Sequence, residues 1–280
     1  MSIITVSRGS YSRGKEIAEK LARRLDYKCI SRDNLFDNVE ELNARDAQLV
    51  SSIEDIPSIF SRFRRGKEAY IAYIRATLLQ KLKSDNVVYE GFVGHVFLKE
   101  IPGILKVRIN SDEEDRSQIV AERDGLSIEQ ATKFIKKIDT QRRKWSQYLY
   151  GIDPSDSNQY DIVLNVAHIP PDSVIDTLVR ISSLENFRLT DEARQQIDNL
   201  ALAAEIQNRL LRKYSGVNVT ADDGKVSIQS AIPRNERSGF ISELERMARE
   251  MPPIKMIELA MQIAVPLSRE RVEESLVITP

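Results

Sequence analysis

The chain has 280 residues, of which 41% are hydrophobic and 30% charged, and its formal net charge is −1. This length favours two domains, and a near-neutral charge gives no reason to expect binding to nucleic acid or to an anionic membrane. Cys29 is the single cysteine and there are two histidines, so an intramolecular disulfide is excluded and a zinc cluster is not expected. The composition is that of a globular protein.

Neither a targeting signal nor a membrane span is expected from the sequence. Residues 1–6 carry no charged segment and no long apolar run, so they do not resemble a signal peptide. No stretch approaches the roughly 18 apolar residues needed to cross a bilayer. The sequence therefore predicts a cytoplasmic protein without a transmembrane segment.

Short β-rich runs alternate with helical patterns over the first 185 residues. Strands are predicted at 3–6, 27–30, 87–89, 104–109 and 161–166, and helices at 15–25, 67–83, 112–150 and 171–183, with a break at Asp124-Gly125. Residues 34–66 are weakly patterned and are predicted as helical pieces. Such alternation predicts right-handed crossovers and a five-stranded parallel sheet with helices on both faces. Ligands bind beyond the carboxyl ends of such strands, where Asp33, Glu90 and Gly91 fall.

The sequence pattern changes after residue 184. Helices are predicted at 190–214 and 236–250, strands at 217–221 and 226–228 around the turn Asp222-Asp223-Gly224, and a last strand within 254–265. This order predicts a separate small α+β domain over residues 188–268, with the first domain at 1–185. Residues 269–280 are predicted as a tail.

Residues 9–16 form a candidate phosphate-binding turn. Gly9-x4-Gly14-Lys15 fits the first seven positions of the eight-residue Walker A pattern, between the first strand and the first helix. Glycines let the backbone wrap a phosphate, the helix N-terminus presents free N–H groups, and Lys15 adds a positive charge. The candidate binding residues are Gly9, Ser10, Tyr11, Ser12, Arg13, Gly14, Lys15 and Glu16. The alternative is an ordinary strand–helix turn that contains two glycines.

The eighth position of the pattern holds Glu16, where a serine or threonine usually offers its hydroxyl to Mg²⁺. Glu16 also brings a negative charge near the phosphates. It weakens the expectation of Mg²⁺-dependent chemistry more than that of phosphate binding, and no residue is predicted as a metal ligand.

Basic residues are concentrated between the fourth and fifth predicted strands. They are Arg116, Arg123, Lys133, Lys136, Lys137, Arg142, Arg143 and Lys144. Because phosphoryl transfer depends on positioning and charge stabilisation, an arginine-bearing lid is expected at this place in the fold. The alternative is a solvated helical face, the usual meaning of such runs. We interpret most of the lysines in that way and two or three of the arginines as functional.

Residues 2–182 resemble the cytidylate kinase-like family of P-loop proteins. That family opens with Ser-Arg-x-x-Gly-Ser-Gly-Gly-(Arg/Lys)-Glu-Ile-Ala, which aligns with residues 7–18 and makes Glu16 a family trait. The further matches are Asp33, Arg116, Arg123, Asp139-x-x-Arg142 and Tyr160-Asp161-Ile162-Val163-Leu164-Asn165. Two departures stand out: Tyr11 and Arg13 occupy positions where the family prefers glycine, and Gly91-Phe92-Val93 replaces the family's Gly-Arg-Gly after the third strand.

This resemblance implies a P-loop three-layer αβα domain that transfers phosphate from ATP to a small acceptor such as CMP, with Mg²⁺ if the protein is active. Lys15, Arg116, Arg123 and Arg142 would be the catalytic residues. Asp33, Glu90 and Gly91 would bind the acceptor. For Glu90 the alternative is a buried carboxylate paired with the lid.

Residues 188–265 resemble a BON domain, on their α-β-β-α-β order and the hairpin at 217–228. The resemblance implies a regulatory role, through a protein partner or a second copy of the chain. A second reading of the whole protein is a catalytically impaired pseudokinase that senses nucleotide through this domain, which Tyr11, Arg13 and Phe92 favour. A third is an oligomeric scaffold. The sequence leaves open the acceptor, the partner and the oligomeric state.

Overall fold

The protein was examined as a computed structural model that describes residues 2–35, 66–91, 93–263 and 272–280. The chain divides into two compact units. The first unit comprises Met1–Ile59 and Ser84–Ala193, and the second unit comprises Phe60–Lys83 and Arg194–Pro280. Most of the predicted helical pieces at 34–66 lie outside the described residues.

The first unit is built on five parallel strands in the order β2-β3-β1-β4-β5. The strands are β1 (Ile3–Arg8), β2 (Lys28–Ser31), β3 (Val87–Glu90), β4 (Ile104–Asn110) and β5 (Ile162–Asn165). The central strand β1 is apolar without alternation, because both of its faces are covered: Ile3, Ile4 and Val6 are fully buried. The predicted α/β fold with a five-stranded parallel sheet is confirmed.

Helices connect these strands and continue into the second unit. They are α1 (Gly14–Leu25), α2 (Gly66–Leu82), α3 (Glu113–Asp124), α4 (Ile128–Tyr150), α5 (Pro171–Ser182), α6 (Asp191–Leu211) and α7 (Arg237–Glu250). The helices α1 and α5 share one core with the sheet through residues such as Ile17 and Leu178. The predicted break between α3 and α4 is confirmed, since Gly125 ends α3 with a positive φ and Ser127 begins α4 with a capping box.

The second unit has a four-stranded sheet in the order β6-β7-β8-β9. Its strands are β6 (Val217–Asp222), β7 (Lys225–Ser230), β8 (Met256–Ile263) and β9 (Val272–Ile278). Neighbouring strands pair antiparallel, parallel and antiparallel in that order. Phe240 and Leu244 of α7 belong to the same buried core as Ile228 and Leu259 of the sheet.

Residues 269–280 differ from the predicted tail, because they contain β9. This strand lies at the edge of the sheet and takes its hydrogen-bonding partner from β8. Only Leu276 and Ile278 join the core from its described side chains, while Ser275 and Val277 are exposed. An alternation this short gives a weak strand signal in the sequence.

Helix α2 follows β2 and precedes β3 in the chain, yet it groups with the second unit. Ala72 belongs to the core of the second unit, Gln80 donates a 2.8 Å hydrogen bond to Glu205, and Lys83 lies 3.1 Å from Asp198. Apolar residues surround the helix instead of forming one stripe, which is typical of a helix buried on all sides. The sequence placed this helix within the domain at 1–185, and the predicted domain boundaries stay a prediction.

A buried histidine lies below the carboxyl ends of the strands in the first unit. The His95 side chain is 3% exposed, with Nδ1 3.1 Å from the Ser7 hydroxyl, Nε2 3.2 Å from Gln159 Oε1 and its ring 4.6 Å from that of Tyr160. Burial lowers the pKa of the His95 imidazole to about 4. The neutral ring accepts from Ser7 and donates to Gln159.

We expect acid to destabilise the fold through His95. The unfolded chain binds a proton as the pH falls below 6.5, whereas the folded chain does so only near 4, so stability is lost across that interval. The full shift corresponds to about 3 kcal/mol of unfolding free energy. Urea unfolding at pH 7.5, 6 and 5 measures the part of this loss that occurs above pH 5. In His95→Gln the unfolding free energy should fall less steeply as the pH is lowered. An equal pH dependence in the variant would contradict this role.

Candidate phosphate-binding site

The candidate phosphate-binding turn between β1 and α1 contains two non-glycine residues in a conformation that favours glycine. Tyr11 and Arg13 have φ angles of 57° and 60°, in the left-handed region that favours glycine. The turn is fastened to β4, because the carbonyl of Ile109 accepts hydrogen bonds from the Gly9 amide and the Ser12 hydroxyl, both at 3.0 Å. The Ser12 hydroxyl also lies 3.0 Å from the Gly9 carbonyl. Tyr11 and Arg13 therefore occupy glycine-like positions in a turn that hydrogen bonds hold against β4.

The start of α1 lies directly against the end of β1. A Cβ atom on Gly14 would lie 2.6 Å from the Cβ of Arg8, so only glycine allows this approach. The Arg8 guanidinium pairs with Glu90, whose side chain is buried. The Gly91 amide donates to the Val6 carbonyl at 3.2 Å. The structure therefore pairs Glu90 with Arg8 on β1 and not with the lid, and Gly91 is fixed beside it.

The α3–α4 hairpin, residues 113–150, contacts the turn through polar groups. Arg116 Nη1 donates to Asp139 at 2.7 Å and to the Ser10 carbonyl at 3.3 Å. The Ser10 hydroxyl donates to the other Asp139 oxygen at 2.5 Å, and Arg13 pairs with Asp115 at 2.8 Å. The hairpin is thus docked on the phosphate turn at the place where a lid was predicted.

A cavity of about 260 Å³ lies beside the turn and the carboxyl end of β4. Its lining residues are Arg8, Gly9, Ser10, Arg108, Asn110, Ser111, Arg116, Asp139, Arg142, Arg143, Asp153, Pro154 and Ser155. Five guanidinium groups face two carboxylates, so the cavity has an excess of positive charge. The buried Nε atoms of Arg108 and Arg116 have no hydrogen-bond partner within the described part of the chain. Buried charged donors of this kind are suited to an anionic ligand.

The charge of Arg142 shows how crowded these cations are. Burial first, and then the nearby Arg8 and Arg32, lower the pKa of its guanidinium to about 10. Arg142 remains protonated at neutral pH. A bound phosphate would offset this repulsion, because it places negative charge among groups that otherwise disfavour one another.

The predicted site residues separate into those at the cavity and those elsewhere. Gly9, Ser10, Arg116 and Arg142 line it. Arg123 lies outside the lining: it pairs with Asp124 and its guanidinium lies 4.7 Å from the centre of the Tyr11 ring.

Lys15, Glu16 and Asp33 do not line the cavity. Lys15 is exposed in the first turn of α1, and Glu16 pairs with Lys20 at 2.7 Å on the exposed side of that helix. Asp33 begins the short turn Asp33–Leu35, two residues after the end of β2. Phe92 lies outside the described residues.

Sequence reasoning missed the contributions of Arg8, Arg108 and Asp153 to the cavity. Arg8 stood next to the glycine motif, and Arg108 is a charged residue between the apolar Val107 and Ile109 near the end of a buried strand. A charged residue near the carboxyl end of a parallel strand could have indicated a ligand-binding residue, because ligands bind at that edge of the sheet.

Two searches of the described residues gave negative results. None of their helices is long and apolar enough to cross a membrane. Their His, Cys, Asp and Glu side chains form no group of three or more that could hold a metal ion.

Comparison with known proteins identifies the family. The family described as the cytidylate kinase-like family matches residues 3–168, which is more than half of the chain. The match ends before the second sheet, so the predicted BON-like resemblance gains no support from it and stays a prediction.

The chain is similar to two cytidylate kinases and to one solved structure, each with partial coverage. The cytidylate kinase of Thermococcus kodakarensis is 36% identical over 96 residues, which cover 34% of this chain and 49% of that protein. The cytidylate kinase of Ignicoccus hospitalis is 26% identical over 184 residues, covering 65% of this chain and 99% of that protein. A crystal structure of an uncharacterized protein from Eubacterium ventriosum is 20% identical with a TM-score of 0.49, covering 65% of this chain and 98% of that one.

This chain spans about half the length of the Thermococcus kinase and nearly all of the Ignicoccus kinase. The family match includes the phosphate turn, the sheet and the α3–α4 hairpin. The chain therefore belongs to the cytidylate kinase-like family.

Proposed function

We propose that the protein is a nucleotide kinase-type phosphotransferase that moves the γ-phosphate of ATP to a nucleoside monophosphate such as CMP. The observation that carries the proposal is the arginine-lined cavity beside the phosphate turn. Relatives named cytidylate kinase support the choice of acceptor.

The turn and the start of α1 would hold the phosphates of ATP. Residues 10–13 lead into α1, and residues 14–16 form the start of its first turn. The backbone amide groups at the N-terminus of a helix and the helix dipole favour an anion. Lys15 extends from the first helical turn and would place its ammonium group on the β- and γ-phosphates.

The arginine cavity would hold the acceptor phosphate and the transferred group. Arg116 and Arg142 come from the hairpin, and Arg8 and Arg108 from the sheet, so cations converge from several directions. Fixed cations stabilise the charge that develops during phosphoryl transfer. Asp33, near the end of β2, would orient the acceptor, and Glu90 would fix Arg8.

The described side chains do not form a ready Mg²⁺ site. Glu16 and Glu90 are paired with Lys20 and Arg8. The Ser10 hydroxyl donates to Asp139 on α4, and the Ser12 hydroxyl donates to the Gly9 carbonyl within the turn. Mg²⁺ in such sites is often held mainly by substrate phosphates and water. We propose that it arrives with ATP, and that the chain's own residues position the phosphates around it.

A coupled assay of ADP formation with ATP, Mg²⁺ and a panel of nucleoside monophosphates tests the proposed function. We expect turnover that depends on the acceptor, with CMP among the accepted substrates. ADP formation at the same rate without any monophosphate would contradict the proposal, because the phosphate of ATP would then not be transferred to an acceptor bound in the cavity.

A second candidate is a nucleotide-sensing protein without turnover. The place of α2 favours it: the helix lies between β2 and β3 in the chain but packs within the second unit. A change in the second unit that moved α2 would act on β3, which begins five residues after this helix ends. Nucleotide binding without turnover on any acceptor would favour this function. A protein partner, a second copy of the chain and a cytoplasmic location stay predictions.

Arg108→Gln is expected to weaken binding of inorganic phosphate by about 10- to 100-fold, since hydrogen bonds to charged groups contribute of this order. The melting temperature should change little, because the variant removes a buried Nε donor that has no partner among the described residues together with one long hydrogen bond, 3.4 Å from Nη1 to the Tyr160 hydroxyl. Calorimetric titration and thermal unfolding measure the two effects. Unchanged phosphate affinity with a lower melting temperature would instead indicate a packing role against Tyr160, whose ring centre lies 5.6 Å from the guanidinium.

A further inference from the structure

Tyr11 is a bulky residue in a backbone conformation that non-glycine residues rarely adopt. Its φ angle is 57°. Such a conformation persists only where surrounding contacts hold it. The contacts of the Tyr11 side chain therefore indicate what holds it in place.

The Tyr11 ring packs on the end of the α3–α4 hairpin. Its centre lies 6.0 Å from that of Phe134, and the Arg123 guanidinium lies 4.7 Å from it on α3. The ring also packs against a small buried cluster formed by Val120, Ala131 and Ile135. A cation–π contact and apolar burial thus join one residue of the phosphate turn to both helices.

A second set of contacts joins the neighbouring residue of the turn to the same hairpin. Ser10 bonds to Asp139 through its hydroxyl, and its carbonyl accepts from Arg116. Arg116 and Arg142, which line the cavity, are both carried by this hairpin. Arg143 of the cavity lies on the same hairpin, so the position of the hairpin determines where three of the five cavity arginines lie.

We propose that Tyr11 is a positioning residue: its ring docks the α3–α4 hairpin on the phosphate turn and holds Arg116 and Arg142 at the cavity before an anion binds. Arg123 acts through the Tyr11 ring in this arrangement and does not reach the transferred group. The role in catalysis rests on the proposed function, whereas the docking and its effect on anion binding do not.

The test compares Tyr11→Ala, Tyr11→Gly and Tyr11→Phe with the unchanged chain. If docking fails in most molecules, the fraction competent to bind inorganic phosphate falls, and its affinity is expected to drop about tenfold in the Ala and Gly variants. Hydrogen exchange over residues 113–150 should rise in the same two variants. Tyr11→Phe keeps the ring and loses only the hydroxyl, which interacts with Arg123, so it should retain most of the phosphate affinity and of the protection from exchange. Tyr148→Ala, which removes a half-exposed tyrosine from α4, is the matched control.

The Ala and Gly variants separate the ring from the backbone, because Gly alone is free of the cost of a positive φ. An equal loss of phosphate affinity in Tyr11→Ala and Tyr11→Gly supports docking by the ring. A loss in Ala that Gly restores would overturn the proposal, and so would unchanged phosphate affinity and exchange in both.

Turnover gives an independent readout. We expect KM for the acceptor to rise more than kcat falls, whereas a merely structural role would lower the melting temperature and leave KM unchanged. If the unchanged chain transfers phosphate to no acceptor but the exchange and phosphate-binding results hold, the proposed function fails and the positioning role of Tyr11 stands.

Discussion

Arg142→Gln is expected to lower kcat/KM for phosphate transfer about 100- to 1000-fold, the usual effect of removing one fixed group that stabilises transition-state charge. Arg142 lines the cavity from α4, and burial together with the nearby Arg8 and Arg32 lowers the pKa of its guanidinium. Steady-state kinetics with ATP and the accepted monophosphate measure the loss.

Lys144→Gln is the matched control for this prediction. Lys144 lies two residues further along α4, is exposed and lies outside the cavity lining, so the change removes the same unit of charge from the same helix. Its kcat/KM should stay within about twofold, since exposed charges are screened by solvent. Similar losses in the two variants would show that overall charge, and not the cavity, determines the rate.

Lys15→Met is expected to lower kcat about 100-fold or more, because the ammonium group offers fixed positive charge to the phosphates of ATP. The residue follows Gly14 in the first turn of α1, beside the amides of the turn. Binding of ATP with Mg²⁺, measured as a shift in the melting temperature, should weaken in parallel.

Lys20→Met removes the same charge one turn further along α1, where it pairs with Glu16. We expect this control to retain ATP binding and turnover, because exposed i,i+4 pairs contribute little. Equal stabilisation by ATP in Lys15→Met and the unchanged chain would exclude the proposed role of Lys15.

The sequence predicted the strands and helices that carry the candidate site. Buried strands without alternation and the helical pattern at 15–25 placed the phosphate turn between β1 and α1, as the structure has it. The break at Asp124-Gly125 placed the two helices of the lid. These features are local, because turn residues and apolar periodicity specify them within a few positions.

Turn residues and apolar periodicity could not predict which arginine side chains point into the cavity. The cavity joins Arg8 on β1, Arg108 on β4 and Arg142 on α4, which are far apart in the sequence. Arg123 and Arg116 lie on the same helix seven residues apart, yet only Arg116 lines the cavity. Which arginine of a basic helix reaches a site depends on the packing of its neighbours, and no periodicity in a charged helix shows this.

Tyr11 and Arg13 illustrate a different limit. In the sequence they stood where glycine is preferred and suggested a narrowed or reshaped phosphate cradle. The turn keeps its left-handed residues, and the Tyr11 ring packs on the hairpin while Arg13 pairs with Asp115. Contacts made far away in the chain thus compensate for a local backbone preference.

The division of the chain also depends on long-range packing. Helix α2 has the length and position of an ordinary crossover between β2 and β3, and nothing local assigns it elsewhere. Its grouping with the second unit follows from contacts with residues more than 100 positions away, such as that of Gln80 with Glu205. The match to the family, which ends at residue 168, does not extend to the second sheet.

Transfer of labelled phosphate in a single turnover tests the central claim most directly. Stoichiometric protein is mixed with CMP, Mg²⁺ and ATP labelled at the γ-phosphate, and the products are separated over time. We expect the label to appear in CDP, rapidly with the unchanged chain and with Lys144→Gln, and at least about 100-fold more slowly with Arg142→Gln. Label that stays in ATP, or that appears only in inorganic phosphate at the same rate in all three proteins, would contradict phosphate transfer to CMP in the arginine cavity.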